Sequence, residues 1–253
     1  MAPGEHSQHG VENRGPALPT PAATVVPLRD GVSGIEVLML RRNSRGAFGG
    51  MWVFPGGQID AADRLDSAPP PTKAGRETGH DVGDHADIGA ARRAARREAQ
   101  EEASLLLDAD TFVLHSLWIP PPQTPRRFAT WFFLAPVGDA PEVVVDGTEI
   151  HEHRWFPPSA ALEARDRGEL SLAPPTWMTL WWLSHYAETV EALEASAARP
   201  PERFETRMYK VEGGLVGCWA GDVAYESGQL DPPGPRRRLW MTDPQWRAEV
   251  APA

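Results

Sequence analysis

The sequence predicts an α/β fold, in which segments of strand length precede and follow one long helix along the chain. Apolar segments of strand length recur along the chain, at residues 22–28, 34–41, 112–119 and 128–135. Residues 88–107 instead show helical periodicity, because Ala91, Ala95, Ala99 and Ala103 fall on one stripe. With 253 residues and 41% hydrophobic content, the chain suits one large domain, or one domain with an appendage.

The predicted sheet begins with two strands that are joined by a turn at Asp30-Gly31. The second strand, residues 34–41, is almost continuously apolar and is therefore expected to be buried on both faces. After a loop at 43–50, residues 51–54 form a short strand that runs into Pro55-Gly56-Gly57. Two adjacent glycines allow a sharp turn and a close approach to a ligand.

A long polar segment precedes the predicted helix. Residues 60–86 contain Pro69-Pro70-Pro71 and little apolar periodicity, which indicates an insertion loop. The helix is expected to run from residue 88 to residue 107, with Asp87 as its N-cap and Leu106 continuing its apolar stripe.

The remaining strands are expected at 112–119, 128–135 and 149–156, with a proline-rich loop at 120–125. A short helix covers 159–167, and Pro174-Pro175 opens a long aromatic helix that runs to residue 198. Arg199-Pro200-Pro201 marks a boundary, because a helix does not continue through two prolines. We therefore expect a disordered leader (1–20), a main domain (21–198) and a C-terminal extension (199–253). The extension has a hairpin around Gly213-Gly214 and a last strand at 238–241.

Composition narrows the classes of protein. The net charge of −10 argues against broad nucleic-acid binding, and the local arginine clusters at 92–97 and 236–238 are more simply read as solvated surface. No apolar run approaches the roughly 18 residues that a membrane span needs, and the first 20 residues lack the features of a signal peptide. Cys218 is the only cysteine, so an intramolecular disulfide is excluded. We expect a cytoplasmic protein.

Three carboxylates on the long helix are the most informative feature of the chain. Glu98, Glu101 and Glu102 lie at helical positions i, i+3 and i+4, so they project from one face. Like charges at this spacing destabilise a helix, and a divalent cation that prefers oxygen ligands would remove the penalty. The pattern therefore predicts a metal site, and with it phosphate chemistry.

The residues around these carboxylates resemble the Nudix hydrolase signature. Phe54-Pro55-Gly56-Gly57 is similar to its glycine-containing start, and Arg97-Glu98-Ala99-Gln100-Glu101-Glu102 to its helical part. The sequence departs from the signature at three places. Asp63 stands where the signature has Glu, the 33 residues 64–96 replace a much shorter spacer, and Ser104 replaces the closing Gly.

An interrupted signature with Asp at this position is similar to the branch of peroxisomal coenzyme A diphosphatases. Two further stretches agree with that branch, namely Arg127-Phe128-x-Thr130-x-Phe132-Phe133 and Trp155-x-x-Pro158. The resemblance covers about residues 22–194. It implies a Nudix α/β/α sandwich around a mixed sheet, here followed by a C-terminal helical and hairpin extension.

The resemblance also implies roles for individual residues. Mg²⁺ or Mn²⁺ would be bound by Glu98, Glu101, Glu102 and the carbonyl of Gly56. Glu98 or Glu102 could instead orient or deprotonate the attacking water. Arg97 would hold the carboxylates in place and pair with Asp63. The candidate substrate contacts are Arg41, Arg127 and Gly57.

The expected activity is hydrolysis of a nucleoside diphosphate linkage. Coenzyme A or acyl-coenzyme A is the expected substrate, and 3′,5′-ADP and a phosphopantetheine compound are the products. Two alternatives stay open: an ADP-ribose or dinucleotide diphosphatase, and a non-catalytic Nudix-like regulator that binds a nucleotide. Three repelling carboxylates argue against the regulator. The expected partner is a small-molecule nucleoside diphosphate, without membrane or nucleic acid, and the sequence leaves a homodimer open.

Overall fold

The structure is a computed structural model that describes residues 18–44, 49–64, 85–138 and 142–250. The predicted leader lies outside the described residues except for positions 18–20, and so do residues 65–84 of the predicted insertion. The strands are β1 (Thr20–Gly31), β2 (Gly34–Arg42), β3 (Trp52–Val53), β4 (Gly56–Gln58), β5 (Val113–Ile119), β6 (Phe128–Pro136), β7 (Ile150–Phe156), β8 (Glu202–Glu205), β9 (Arg207–Val211), β10 (Gly214–Cys218), β11 (Arg237–Thr242) and β12 (Trp246–Val250). The helices are α1 (His85–Ala103), α2 (Pro158–Asp166), α3 (Pro174–Leu183) and α4 (Thr189–Ala197).

A large mixed sheet forms the centre of the fold. Its order is β3-β2-β1-β6-β5-β8, with β4 beside β1 and β7 beside β2. The β1–β6 and β5–β8 pairs are parallel, and the other pairs of this sheet are antiparallel. One edge of β1 pairs with β2 at Leu28↔Val37 and with β4 at Thr24↔Gly56. This arrangement places the glycines of β4 directly beside the central strand.

Helices cover both faces of the sheet, which confirms the predicted α/β/α sandwich. On one face α1 packs through a stripe of fully buried alanines, whose small side chains let the helix approach closely: Ala90, Ala91, Ala94, Ala95, Ala99 and Ala103. On the other face α2, α3 and α4 share one apolar cluster with β1 and β6. None of the helices in the described ranges combines the length and the apolar content that crossing a bilayer requires.

Helix α1 starts and ends earlier than predicted. It begins at His85, upstream of the apolar stripe from which its start was predicted, so Asp87 lies inside it and is not its N-cap. It ends at Ala103, because Ser104 adopts a left-handed backbone with φ of 55°. This is the position where the signature has Gly, the residue that adopts such a φ without steric cost. Leu106 therefore lies beyond the helix and is 77% exposed.

The predicted aromatic helix is two helices. Helix α3 ends at Leu183, and α4 starts at Thr189 with a capping box formed by Glu188 and Glu191. The N–H of Thr189 also donates to Asp30 Oδ1 at 2.7 Å, which ties the start of α4 to the β1–β2 turn. The prediction of one continuous helix was wrong because this break contains neither Pro nor Gly.

The C-terminal extension is made of strands. Its first strand, β8, pairs in parallel with β5 at Leu117↔Arg203 and so belongs to the large sheet. Strands β9–β12 form a second, antiparallel sheet. The hairpin predicted around Gly213-Gly214 is confirmed as β9–β10, but strand β12 was not predicted. The predicted helical part is wrong for the described residues 199–250, where no helix is present.

Candidate active site

The guanidinium of Arg97 is the centre of a carboxylate network. It donates to both oxygens of Asp63, at 3.3 and 3.0 Å, and to the carbonyl of Gln58 at 3.0 Å. Its Nη1 donates to Glu98 Oε1 at 2.8 Å and to Glu101 Oε2 at 3.0 Å. The hydrogen bond to Asp63 is the main reason that the pKa of Arg97 is raised above its usual value. The pairing of Arg97 with Asp63 that the resemblance implied is present.

Glu102 is the most buried carboxylate of the helical motif. Its side chain is 8% exposed, accepts a hydrogen bond from the N–H of Gly56 at 2.9 Å, and contacts Arg42 Nη1 at 3.4 Å. Burial raises the pKa of Glu102 to about 7, although the Gly56 N–H and Arg42 oppose the shift. The carboxylates of Glu98 and Glu149 raise this pKa further. A second cation near Glu102 would therefore be favourable.

Glu98 is positioned by the absence of a side chain at Gly57. A Cβ atom built on Gly57 would lie 2.3 Å from Glu98 Oε1, which no real contact allows. Gly56 is equally restricted, since its Cβ would lie 2.6 Å from the carbonyl oxygen of Ala23. Neither glycine has a positive φ, and both lie in strand β4. They serve close packing, and the predicted sharp turn at this pair is not observed.

Glu101 differs from its two neighbours. Its side chain is 58% exposed, and its carboxylate contacts Arg97. It does not line the cavity that contains Glu98 and Glu102. Within the described ranges, no three His, Cys, Asp or Glu side chains converge in an arrangement ready to hold a metal ion. Glu101 thus contacts Arg97 outside the cavity, and the implied metal-ligand set of Glu98, Glu101 and Glu102 stays a prediction.

The donor chemistry nevertheless fits a hard divalent cation. Glu98, Glu102, Glu149 and Asp60 line one cavity and offer only oxygen atoms, the ligands that Mg²⁺ prefers. Burial raises the pKa of both Glu98 and Glu102, so Arg97 and Arg42 do not provide full compensation for their charged forms. A divalent cation between these carboxylates would supply it.

Sequence reasoning missed four charged residues of the cavity, namely Arg42, Asp60, Arg126 and Glu149. Glu149, immediately before β7, and Arg42, the last residue of β2, form an ion pair of 2.5 Å. Asp146 fixes the backbone before Glu149 by accepting hydrogen bonds from the N–H groups of Thr148, Glu149 and Ile150. The Asp146-Gly147 turn was visible in the sequence, but the meeting of Glu149 with Arg42, 107 positions away, was not.

The two arginines predicted to contact substrate lie elsewhere. Arg41 faces away from the cavity and pairs with Glu152 at 3.4 Å. Arg127 donates to the carbonyl of Pro120 at 3.3 and 3.1 Å and does not line the cavity. In both places the neighbouring arginine lines the cavity instead, namely Arg42 at an irregularity of β2 and Arg126 in the bend before β6.

The cavity has a volume of about 550 Å³, and two chemically different kinds of side chain line it. The carboxylates and Arg42 are the charged part of the lining. The apolar and aromatic part consists of Phe54, Phe128, Phe132, Ala173 and Pro175. A ligand that fills the cavity therefore joins a charged part to an apolar or planar part.

The arginine clusters noted in the sequence are engaged within the fold. Arg92 donates to the carbonyls of Ala109 and Phe112, and Arg93 donates to the carbonyl of Asp63. Arg238 is fully buried and forms a 2.6 Å ion pair with Asp222. Such contacts leave little of these clusters for a polyanion.

Comparison with known proteins agrees with this geometry. Residues 73–193 match the family model of the NUDIX domain, a match that begins inside the predicted insertion. A Caenorhabditis elegans protein that carries the nudix hydrolase name is 26% identical over 206 residues, which are 75% of this chain and 70% of that protein. The crystal structure of a NUDIX hydrolase from Alicyclobacillus acidocaldarius superposes with a TM-score of 0.60 at 25% identity, over 72% of this chain and 98% of that chain. The fold, the site and these matches show that the chain carries a NUDIX domain, and they support an enzyme of the diphosphatase type.

A more specific relative is human acyl-coenzyme A diphosphatase NUDT19. It is 30% identical over 123 residues, which are 46% of this chain. The aligned part spans only 33% of the human protein. The NUDIX domain is therefore identified, whereas the substrate is a matter for proposal.

Proposed function

We propose that the protein hydrolyses the diphosphate linkage of coenzyme A or acyl-coenzyme A, in the presence of Mg²⁺ or Mn²⁺. The products would be 3′,5′-ADP and a phosphopantetheine compound. The cavity is the observation that carries this proposal, because a lining that combines carboxylates with aromatic side chains suits a diphosphate joined to a planar base and an apolar arm. The activity in the name of the human relative supports the same substrate class.

Glu98 and Glu102 would hold the divalent cation, with the Gly56 carbonyl as a further ligand. The cation, when bound, would neutralise charge on the diphosphate and make hydroxide available near neutral pH. Nudix hydrolases as a family use divalent metals. Arg97 would keep the carboxylate of Glu98 in place, because it contacts Glu98 and is itself anchored by Asp63.

Of the two candidates for the base, Glu102 is the better matched, and in that role it would act on the attacking water instead of binding the cation. Burial raises its pKa to about 7. A general base works best when its pKa lies near the working pH, which is neutral here. It also lines the cavity beside Glu149. Its Oε2 is held by the Gly56 N–H, which leaves Oε1 facing Arg42.

Product analysis tests the proposal. The pure protein with Mg²⁺ or Mn²⁺ is incubated with coenzyme A, an acyl-coenzyme A, NADH, ADP-ribose and a diadenosine polyphosphate, and the products are identified by mass spectrometry. Release of 3′,5′-ADP in preference to the other products is expected. Preferential cleavage of ADP-ribose or a dinucleotide would replace the proposed substrate with that compound. Glu102→Gln serves as the control for contaminating activity.

A further inference from the structure

One guanidinium at the mouth of the cavity has no internal acceptor. Arg126 is exposed and lines the cavity, and within the described residues it makes no hydrogen bond or ion pair. The other arginine of the cavity, Arg42, is engaged by Glu102 and Glu149. Arg126 is thus an available positive charge in a protein with a net charge of −10.

Arg126 lines the same cavity as three residues of β6. Arg126, Phe128, Thr130 and Phe132 all line the cavity, at intervals of two residues along β6 and the chain just before it. Alternate residues of a strand share a face, so Phe128, Thr130 and Phe132 form one row, and Arg126 lines the same cavity from the bend before the strand. Phe132 is 5% exposed, whereas Arg126 is exposed.

The backbone at Arg126 is held on both sides. The guanidinium of Arg127 donates to the carbonyl of Pro120, and the carbonyl of Arg127 accepts from the N–H of Thr20 at 2.8 Å. The N–H of Thr124 donates to the carbonyl of Pro121 at 3.0 Å. A backbone fixed in this way lowers the entropy that Arg126 would lose on binding a ligand.

The register of the sheet separates Arg126 from the carboxylates. Gly57, against which Glu98 packs, pairs with Ala23, and Ala23 pairs with Trp131 of β6. Arg126 precedes Trp131 by five positions, which corresponds to at most about 16 Å at the usual rise of a strand. The backbone of Arg126 therefore lies apart, along the direction of β6, from the glycine against which Glu98 packs.

We propose that Arg126 binds a second phosphate of the substrate, on the nucleotide half and outside the diphosphate that is cleaved. Arginine suits this role because its planar fork donates two parallel hydrogen bonds to a phosphate. The inference rests on the proposed function, in which the 3′-phosphate of coenzyme A is that group. Arg126 is then a residue that determines specificity, and Phe128 next to it offers a ring face for the base.

Product binding tests this role without turnover. Isothermal titration calorimetry compares 3′,5′-ADP with 5′-AMP on the wild-type protein, Arg126→Gln and Arg126→Lys. The matched control is Arg167→Gln, which removes the same charge from an exposed residue outside the cavity that contacts Glu169. The wild-type protein should bind 3′,5′-ADP at least about tenfold more tightly than 5′-AMP. Arg126→Gln should abolish this preference and change 5′-AMP affinity by less than about twofold. Arg126→Lys should retain part of the preference, and Arg167→Gln all of it.

Equal wild-type affinities, or an equal loss of both affinities in Arg126→Gln, would overturn the assignment. If Arg126→Gln fails to fold, Arg126→Lys decides, because the proposal requires a reduced ratio of the two affinities. Failure of the proposed function is visible separately. A protein that does not cleave coenzyme A but shows this preference keeps the Arg126 site and loses the proposed reaction.

Discussion

The carboxylate of Asp63 and the guanidinium of Arg97 are joined by two hydrogen bonds, although 34 positions of the chain separate them. Asp63 is 5% exposed, and its Oδ2 also accepts from the N–H of Asp60 at 2.9 Å. A short helical turn over Ala62–Arg64 brings Asp63 to Arg97 and compensates for a side chain one methylene shorter than Glu. Asp63, which lies just before the insertion, is therefore fixed to α1, the helix that follows the insertion.

The Asp63–Arg97 contact should contribute to stability. We expect Asp63→Asn to lower the free energy of unfolding by about 1–3 kcal/mol, because the partly buried guanidinium loses its charged acceptor. Urea denaturation measures the change. Asp60→Asn is the control, because Asp60 is 64% exposed and lies 3.7 Å from Arg97. Equal losses in the two variants would contradict the ranking of the two contacts.

The three helical carboxylates should not be equivalent in catalysis. We expect Glu98→Gln and Glu102→Gln each to lower turnover at least about a hundredfold, because both side chains line the cavity. Glu101→Gln should lower it by a smaller factor, because that carboxylate is exposed and faces Arg97. Steady-state kinetics with a Mg²⁺ titration measures the three factors. Full activity in Glu98→Gln and Glu102→Gln would exclude the proposed site.

Substitution of the two glycines of β4 should separate activity from stability. The Cβ of Gly57→Ala would collide with the flexible end of Glu98, so we expect lower turnover and a small change in stability. The Cβ of Gly56→Ala would collide with the backbone of Ala23 and Thr24, which should lower the free energy of unfolding by about 1–3 kcal/mol. Activity assays and denaturation of both variants measure the contrast. A large loss of stability in Gly57→Ala, together with a loss of turnover alone in Gly56→Ala, would contradict this assignment.

Burial of Glu102 should make the metal-free protein less stable as the pH rises. Its pKa is raised from 4.5 to about 7, so the folded state binds this proton more tightly than the unfolded state does. The resulting stability is fully present below about pH 4.5 and is lost as the pH rises through about 7. We expect a loss on the order of 2 to 3 kcal/mol from this group.

Denaturation of the metal-free protein with chelator at about pH 5 and pH 8 measures this loss. Glu102→Gln is the reference, because it cannot titrate at this position and should show a smaller decline than the wild-type protein. Mg²⁺ should reduce the wild-type decline by favouring the carboxylate. An equal decline in wild type and variant would mean that another group is responsible.

Patterns formed by residues close together in the sequence predicted α1 and the carboxylates that it carries. The alanine stripe gave the packing face of α1, and the residues around Arg97 gave the carboxylates. Residues that meet only through folding had no such signal, and Arg42 and Glu149 are the example.

The misplaced helix boundaries have local physical causes. The break between α3 and α4 is capped by Glu188, a residue type that is seldom an N-cap, so the sequence offered no usual start signal. The end of α1 depends on a serine in a left-handed backbone, and propensity alone does not predict this conformation.

Strand β8 has a practical consequence for anyone who wishes to divide this chain. A protein that stops at residue 198 would lose the strand that covers the edge of β5. It would also remove Phe204, which stacks on Trp118 at 4.0 Å, and Trp219, which meets the same ring edge-on at 5.5 Å. An open sheet edge beside a newly exposed tryptophan invites self-association. The sensible minimal unit for expression therefore keeps the residues after the double proline.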